Sequence, residues 1–125
     1  MEKPKIFDLD IAGWQSLRES LNESVMDIAG LGIKRFFSLD SQTYRDGALP
    51  ASTKELLGLV ASLVLRCDDC ILYHTIQCHK AGFTTEQFSE ACTVALVVGG
   101  SIVIPHLRRA VARWQELMIS ETGQS

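Results

Sequence analysis

Two cysteines and a histidine lie close together near the middle of the chain, in the stretch CDDCILYH. Cys67 and Cys70 are separated by two residues, and His74 follows four residues after the second cysteine. On a helix, side chains three and four positions apart share one face, so these groups would form a stripe. A histidine there can hydrogen-bond the sulfur of Cys70, and a helix N-terminus stabilises a thiolate. The spacing therefore predicts a reactive thiol with a second thiol within reach for a disulfide.

Charged neighbours act on these thiols in opposite directions. Asp68 and Asp69 lie between the cysteines and disfavour a thiolate, whereas Arg66 favours one. Asp68 is also a suitable N-cap for a helix that begins here. The sequence leaves open which charge dominates at each sulfur.

Glu55 lies twelve residues before the first cysteine, across an almost entirely apolar segment. In one interpretation it forms a capping box with Ser52 at the start of its own helix. In the other, its helix packs against the helix that carries the cysteines, and the carboxylate exchanges protons with a thiol through water or His74. The spacing alone favours neither role.

A zinc site is a further interpretation of the same segment, because Cys67, Cys70, His74 and Cys78 have the right side chains. Along a helix, however, Cys67 and Cys78 are about 16 Å apart, whereas zinc–ligand bonds are about 2.0–2.3 Å long. One tetrahedral ion therefore needs a helix break or a second subunit, and we expect no metal and no cofactor. Cys78 and Cys92 are instead expected to be small buried side chains.

The composition and charge of the chain argue against several classes of protein. Its 125 residues are 46% hydrophobic and 22% charged, an ordinary balance for one globular domain. The net charge of -3 argues against nucleic acid as the main partner, because binding to phosphates needs a basic surplus. The longest apolar run, residues 91–105, is below the roughly 18–20 residues that span a bilayer. Four cysteines without a visible signal peptide predict a cytoplasmic protein.

Apolar periodicity and capping residues predict an all-α protein of about six helices. Thr84 and Gln87 have the spacing of a capping box, Gly82 suits a helix C-terminus, and Pro105 is tolerable only within a first helical turn. The predicted helices cover about 14–28, 33–44, 52–66, 69–81, 84–99 and 102–118. We expect a single domain over residues 1–125, with a core at 47–118 and a more variable helical region at 10–46. Three helices are more apolar than a lone small bundle needs, so we expect subunit contacts.

The segment from Gly47 to Gly100 resembles the core of the carboxymuconolactone decarboxylase and alkylhydroperoxidase D superfamily. The signature of that superfamily is a glutamate, eleven residues, CxxC, three residues and a histidine. Glu55, Cys67, Cys70 and His74 match it one by one. The later stretch AGFTTEQFSEA is also similar to the family.

The cysteine pair places the resemblance in the alkylhydroperoxidase-like branch. Decarboxylase members act on a lactone of aromatic-acid breakdown and generally lack the pair, whereas alkylhydroperoxidase members use it to reduce peroxides. The resemblance implies that Cys70 attacks the peroxide, that Cys67 resolves the sulfenic acid as a disulfide, and that Glu55 and His74 relay protons. It also implies a dithiol or lipoyl-protein reductant and a trimeric or hexameric homo-oligomer. In one departure, Asp69 stands where the best-known peroxidases carry a histidine.

We therefore expect one main function and keep two alternatives. The first is a cytoplasmic, peroxiredoxin-type oxidoreductase: an antioxidant peroxidase or disulfide reductase whose activity requires Cys70. The second is lactone decarboxylation or a related proton transfer, which would survive loss of both cysteines but not of His74. The third is a non-enzymatic, redox-sensing helical oligomer whose assembly changes with a disulfide between Cys67 and Cys70.

Overall fold

The computed structural model describes residues 8–121, and every α-helix in that range was expected from the sequence. The helices are α1 (Ile11–Ile28), α2 (Leu31–Thr43), α3 (Ala51–Leu65), α4 (Asp68–Lys80), α5 (Thr85–Gly99) and α6 (Ile104–Glu121), with a 3₁₀ turn (Ser101–Val103) before α6. The predicted all-α class is confirmed. Within residues 8–121, no helix is both long and apolar enough to cross a membrane.

The described residues fall into two compact units, one ending at Thr43 and one beginning at Tyr44. That the whole chain forms a single domain stays a prediction. In the first unit, Asp10 caps α1 by accepting a hydrogen bond from the backbone N–H of Gly13 at 2.8 Å. Trp14 is the buried residue of α1, and α2 contains no buried residue. Several large apolar side chains of α2 are therefore exposed.

The second unit is built around α3, which packs against both α4 and α5, while α6 packs against α4. Leu59 and Leu63 of α3 are fully buried and belong to its hydrophobic core. At another part of this core the ring of Trp114 stacks on Phe88, with ring centroids 4.5 Å apart. The Trp114 indole N–H donates to Thr85 Oγ1 at 3.0 Å, so its polar atom is satisfied within the unit.

The sequence predicts both ends of α5 correctly, whereas α6 begins at Ile104, after the 3₁₀ turn, and not at about residue 102. Thr84 Oγ1 accepts from the Gln87 N–H at 3.1 Å, and Gln87 Oε1 accepts from the Thr84 N–H at 2.8 Å, which is a complete capping box. Helix α5 ends at Gly99, as predicted. Pro105 is the second residue of α6 and lies within its first turn, where its missing N–H leaves no helical bond unmade.

Two other predicted caps are wrong. The N-cap of α3 is Pro50, whose side chain makes no capping hydrogen bond; the Asp46 carboxylate instead accepts from the Ala51 N–H at 2.7 Å at the start of the helix. Ser52 and Glu55 therefore lie inside the helix, and the Glu55 carboxylate is used elsewhere. The N-cap of α4 is Cys67 rather than Asp68: its Sγ accepts a hydrogen bond from the Cys70 N–H at 3.4 Å.

Candidate active site

A tight connection between α3 and α4 holds the two cysteines. Arg66 adopts the left-handed conformation (φ 60°) and ends α3, and the Cys67 N–H donates to the Ser62 carbonyl at 3.1 Å. Both cysteines are free thiols, and the Sγ atoms of Cys67 and Cys70 are 2.6 Å apart. A disulfide bond is about 2.05 Å long. The two sulfurs therefore need to move only slightly to become linked.

Cys70 is exposed, but the pKa of its thiol is raised. Partial burial of the sulfur, its contact with Cys67 and the negative charge of Asp69 raise the pKa of Cys70 to about 11. At neutral pH this group is therefore a thiol, whereas the reactive nucleophile is a thiolate. Chemistry at Cys70 consequently requires a nearby group that accepts its proton.

Glu55 and His74 form a buried pair that bridges α3 and α4. His74 Nδ1 lies 2.8 Å from Glu55 Oε2, and each residue is 8% exposed. An ionised carboxylate only accepts hydrogen bonds, so Nδ1 carries the proton and donates it. A carboxylate in this position orients the imidazole and stabilises the imidazolium that forms when the ring takes a proton. Of the two roles considered for Glu55, the helix cap is therefore wrong, and the proton relay stays a prediction.

The other ring nitrogen of His74 faces Tyr44. Its Nε2 lies 3.4 Å from the Tyr44 hydroxyl, a weak hydrogen bond in which the hydroxyl donates. The rings of Tyr44 and Tyr73 lie 5.4 Å and 5.2 Å from the imidazole. The sequence suggests instead a hydrogen bond between His74 and the sulfur of Cys70. It also gives Tyr44 no role, because no local spacing connects positions 44 and 74.

Gly58 provides the space that the imidazole occupies. A Cβ atom at Gly58 would lie 2.6 Å from Cε1 of His74 and 2.8 Å from Nδ1. Real Cβ atoms do not approach other heavy atoms so closely, so the ring rests directly on the backbone of α3. Gly58 lies one turn after Glu55, so the same helix provides both the carboxylate that binds Nδ1 and the space that the ring occupies.

Replacing Gly58 with alanine should destabilise the protein by about 1–3 kcal/mol and push the imidazole away from Glu55. Alanine favours a helix by about 1 kcal/mol over glycine, so any loss comes from the clash and not from the backbone. Thermal unfolding measures the stability, and a crystal structure of the variant measures the Nδ1–Oε2 distance. Gly32→Ala is the matched control, since Gly32 lies in α2 with no atom within 4 Å of its Cβ position. An unchanged midpoint with an intact Glu55–His74 bond would contradict the close packing.

Helix α6 neutralises one of the two aspartates between the cysteines. Asp68 Oδ1 lies 2.8 Å from His106 Nδ1, and Arg109 Nη2 donates to Asp68 Oδ2 at 3.0 Å. Burial raises the pKa of Asp68, but the hydrogen bonds from Arg109 and His106 outweigh it and hold that pKa below its usual value. The charge of Asp69 is one contribution to the raised pKa of Cys70.

The remaining cysteines are buried, as predicted. Cys78 is fully buried and Cys92 is 4% exposed. Burial raises the pKa of Cys78 to about 12 and that of Cys92 to about 11, so both are inert thiols at neutral pH. Among residues 8–121, no three His, Cys, Asp or Glu side chains are grouped so that they could hold a metal ion.

The sequence matches a described family over most of the second unit. Residues 33–113 match the carboxymuconolactone decarboxylase family. An uncharacterized protein of Cupriavidus necator is 34% identical over 73 residues, which are 58% of this chain and 65% of that protein. The uncharacterized protein 4 in the cox locus of Paracoccus denitrificans is 32% identical over 82 residues, or 66% of this chain and 74% of that protein. This chain therefore spans slightly less than two thirds of the first relative.

Solved structures share the fold. A crystal structure of a Thermotoga maritima protein superimposes with a TM-score of 0.84 and 57% identity, covering 86% of this chain and 94% of that chain. A second structure of the same protein gives 0.81 and 55%, covering 88% and 94%; it is described as a carboxymuconolactone decarboxylase family protein, with a suggested role in the antioxidative response. The apo form of a family member from Legionella pneumophila gives 0.72 and 25%, covering 82% and 91%.

Proposed function

The chain belongs to the carboxymuconolactone decarboxylase family, and from this premise we propose that it is a thiol-dependent peroxidase of the antioxidant type. The observation that carries the proposal is the pair of free thiols, with sulfurs 2.6 Å apart, at the start of the helix that also holds a buried histidine–carboxylate pair. Members of the family are typically enzymes. The antioxidative role suggested for the Thermotoga protein supports the same chemistry.

The first step is attack on an alkyl hydroperoxide by Cys70. The relay of His74 and Glu55 accepts the thiol proton, which the raised pKa of Cys70 makes necessary. The thiolate then attacks one peroxide oxygen, an S–O bond forms and the O–O bond breaks. Cys70 becomes a sulfenic acid, and the leaving alkoxide takes the proton back from the relay and departs as the alcohol.

The second step closes the disulfide. The thiol of Cys67 attacks the sulfur of the Cys70 sulfenic acid, an S–S bond forms, the S–O bond breaks and water leaves. The cysteine pair has then lost two electrons, and the peroxide has gained them. An external dithiol, such as that of a lipoyl-carrying protein, returns the pair to two thiols and is itself oxidised to a disulfide.

Stoichiometric peroxide should convert Cys67 and Cys70 into one linked pair. The reduced protein is treated with one equivalent of cumene hydroperoxide, denatured, alkylated and digested for mass spectrometry. We expect a peptide with a Cys67–Cys70 disulfide, while Cys78 and Cys92 are alkylated to the same extent with and without peroxide. Cumyl alcohol in place of the hydroperoxide is the control and should leave all four thiols free. Unchanged alkylation of Cys67 and Cys70 after peroxide would reject the peroxidase.

A second candidate is lactone decarboxylation or a related proton transfer. One observation favours it: Glu55, His74 and Tyr44 form a hydrogen-bonded group that contains no sulfur. Such a group can move protons whether or not the thiols are present. This candidate predicts turnover of a lactone that survives alanine replacement of both cysteines and is lost when His74 is replaced.

Exposed apolar side chains and free thiols support a proposal for the partners and the location. We propose a homo-oligomer, a trimer or hexamer, because α2 exposes Phe36 and Leu39, and α5 exposes Val97 and Val98. Four free cysteines suit the reducing cytoplasm, where we place the protein. If the disulfide served only as a sensor, its formation would change this assembly while peroxide turnover stayed at background.

A further inference from the structure

We propose that Tyr44 completes the relay: its hydroxyl holds Nε2 of His74 and is the group through which the buried imidazole exchanges protons. The kinetic part of this inference rests on the proposed peroxidase function. The contact itself, a hydroxyl 3.4 Å from Nε2, does not.

The hydrogen bond to Glu55 decides what Nε2 can do. Since Nδ1 donates to the carboxylate, the neutral ring has its lone pair on Nε2. Any proton that His74 accepts must therefore arrive at Nε2. The hydroxyl of Tyr44 is the side-chain donor that faces this atom.

Contacts around the imidazole hold the ring in the orientation that points Nε2 toward Tyr44. The imidazole lies against Gly58, where even a methyl group does not fit, and the Tyr73 ring packs against it at an interplanar angle of 76°. Turning the ring would also break the 2.8 Å bond to Glu55. His74 is buried whereas Tyr44 is only half-buried, so of the two residues Tyr44 is the more accessible to solvent.

A tyrosine hydroxyl can pass a proton on without becoming charged. Its own proton moves to Nε2 while its oxygen accepts a proton from the thiol side, directly or through water, and the resulting imidazolium is paired with the Glu55 carboxylate. The reverse movement supplies the proton that the leaving alkoxide needs. A phenylalanine at this position preserves the ring contact and removes both movements.

The test compares Tyr44→Phe with Tyr73→Phe. Both tyrosines pack against the imidazole, at 5.4 Å and 5.2 Å, but both ring nitrogens of His74 already have partners other than Tyr73. Two quantities are measured for each variant: the nitrogen NMR chemical shift of His74 Nε2, and kcat/KM with cumene hydroperoxide in light and heavy water. For Tyr44→Phe we expect a shifted Nε2 resonance, a fall in kcat/KM of about 10–100-fold and a changed solvent isotope effect. For Tyr73→Phe we expect an unmoved resonance and kcat/KM within about twofold of wild type.

The outcomes separate this inference from the proposed function. If Tyr44→Phe leaves Nε2 unmoved, the contact is absent and the inference fails. If Nε2 moves but kcat/KM and the isotope effect do not, Tyr44 only packs there and the relay role is overturned. If the wild-type protein consumes no peroxide, the proposed peroxidase fails; the relay is then supported only if lactone turnover shows the same loss in Tyr44→Phe, and is overturned otherwise.

Discussion

Replacing Cys70 with alanine should reduce peroxide turnover to the uncatalysed background, a loss on the order of 10³-fold or more in kcat/KM. In the proposed mechanism Cys70 supplies the atom that accepts the peroxide oxygen, and no neighbouring buried thiol can substitute for it. Burial raises the pKa of Cys78 to about 12 and that of Cys92 to about 11. The measurement is the initial rate of cumene hydroperoxide consumption with a dithiol donor present.

Cys67→Ala separates attack from resolution. This variant should also fail to turn over, yet a single equivalent of peroxide should still oxidise Cys70 to a sulfenic acid that dimedone traps. Cys70→Ala should give no adduct. Cys92→Ala is the matched control, because it removes a thiol from the core and should retain turnover. A dimedone adduct on Cys67 in the Cys70→Ala variant would show that the two cysteines have the opposite roles.

Local chemistry of the chain could be read from its sequence, because neighbours on a helix are fixed by helical geometry. The cysteine pair and the Thr84–Gln87 box are examples: each involves groups three residues apart, and the structure brings both together. The six helices follow from apolar periodicity for the same reason. Small errors remain where a different side chain binds the helix start, as at α3, where Asp46 accepts from the Ala51 N–H.

The contacts that complete the site are long-range, and helical geometry says nothing about them. Glu55 and His74 are 19 residues apart, and Tyr44 and His74 are 30 apart. The sequence made a Glu55–His74 contact conceivable through the packing of two apolar helices, but it could not choose between that contact and a cap. Nothing in the spacing predicted that the imidazole of His74 would pack directly against Gly58. The contact between Glu55 and His74 and the position of Gly58 against the ring both depend on how α3 and α4 pack.

The charges around the cysteines also depend on long-range contacts that the sequence does not predict. Asp68 and Asp69 are adjacent and chemically identical, so the sequence gives them equal weight at the thiols. In the fold, His106 and Arg109, 38 and 41 residues away, bind Asp68, while burial, the contact with Cys67 and the charge of Asp69 together raise the pKa of Cys70. The aspartate at position 69 thus adds to the burial that keeps Cys70 protonated.

Glu55→Gln should lower the rate of Cys70 oxidation by about 10²-fold at pH 7. Glutamine preserves the size of the side chain and can still accept a hydrogen bond from Nδ1, but it cannot stabilise an imidazolium. Because the pKa of Cys70 is raised to about 11, its thiolate fraction without assistance is about 10⁻⁴ at pH 7 and rises about tenfold with each pH unit. The variant should therefore recover as the pH rises, and its deficit relative to wild type should shrink between pH 7 and pH 10.

Single-turnover mixing of the reduced protein with peroxide measures this step without the reductant, whose own ionisation would otherwise contribute to the pH profile. Glu90→Gln, an exposed position on α5, is the matched control and should follow wild type at every pH. A deficit that is constant with pH would mean that Glu55 only holds the ring in place, since a purely structural loss does not depend on how much thiolate forms unaided. A deficit that disappears as Cys70 ionises identifies the carboxylate as part of the group that removes its proton.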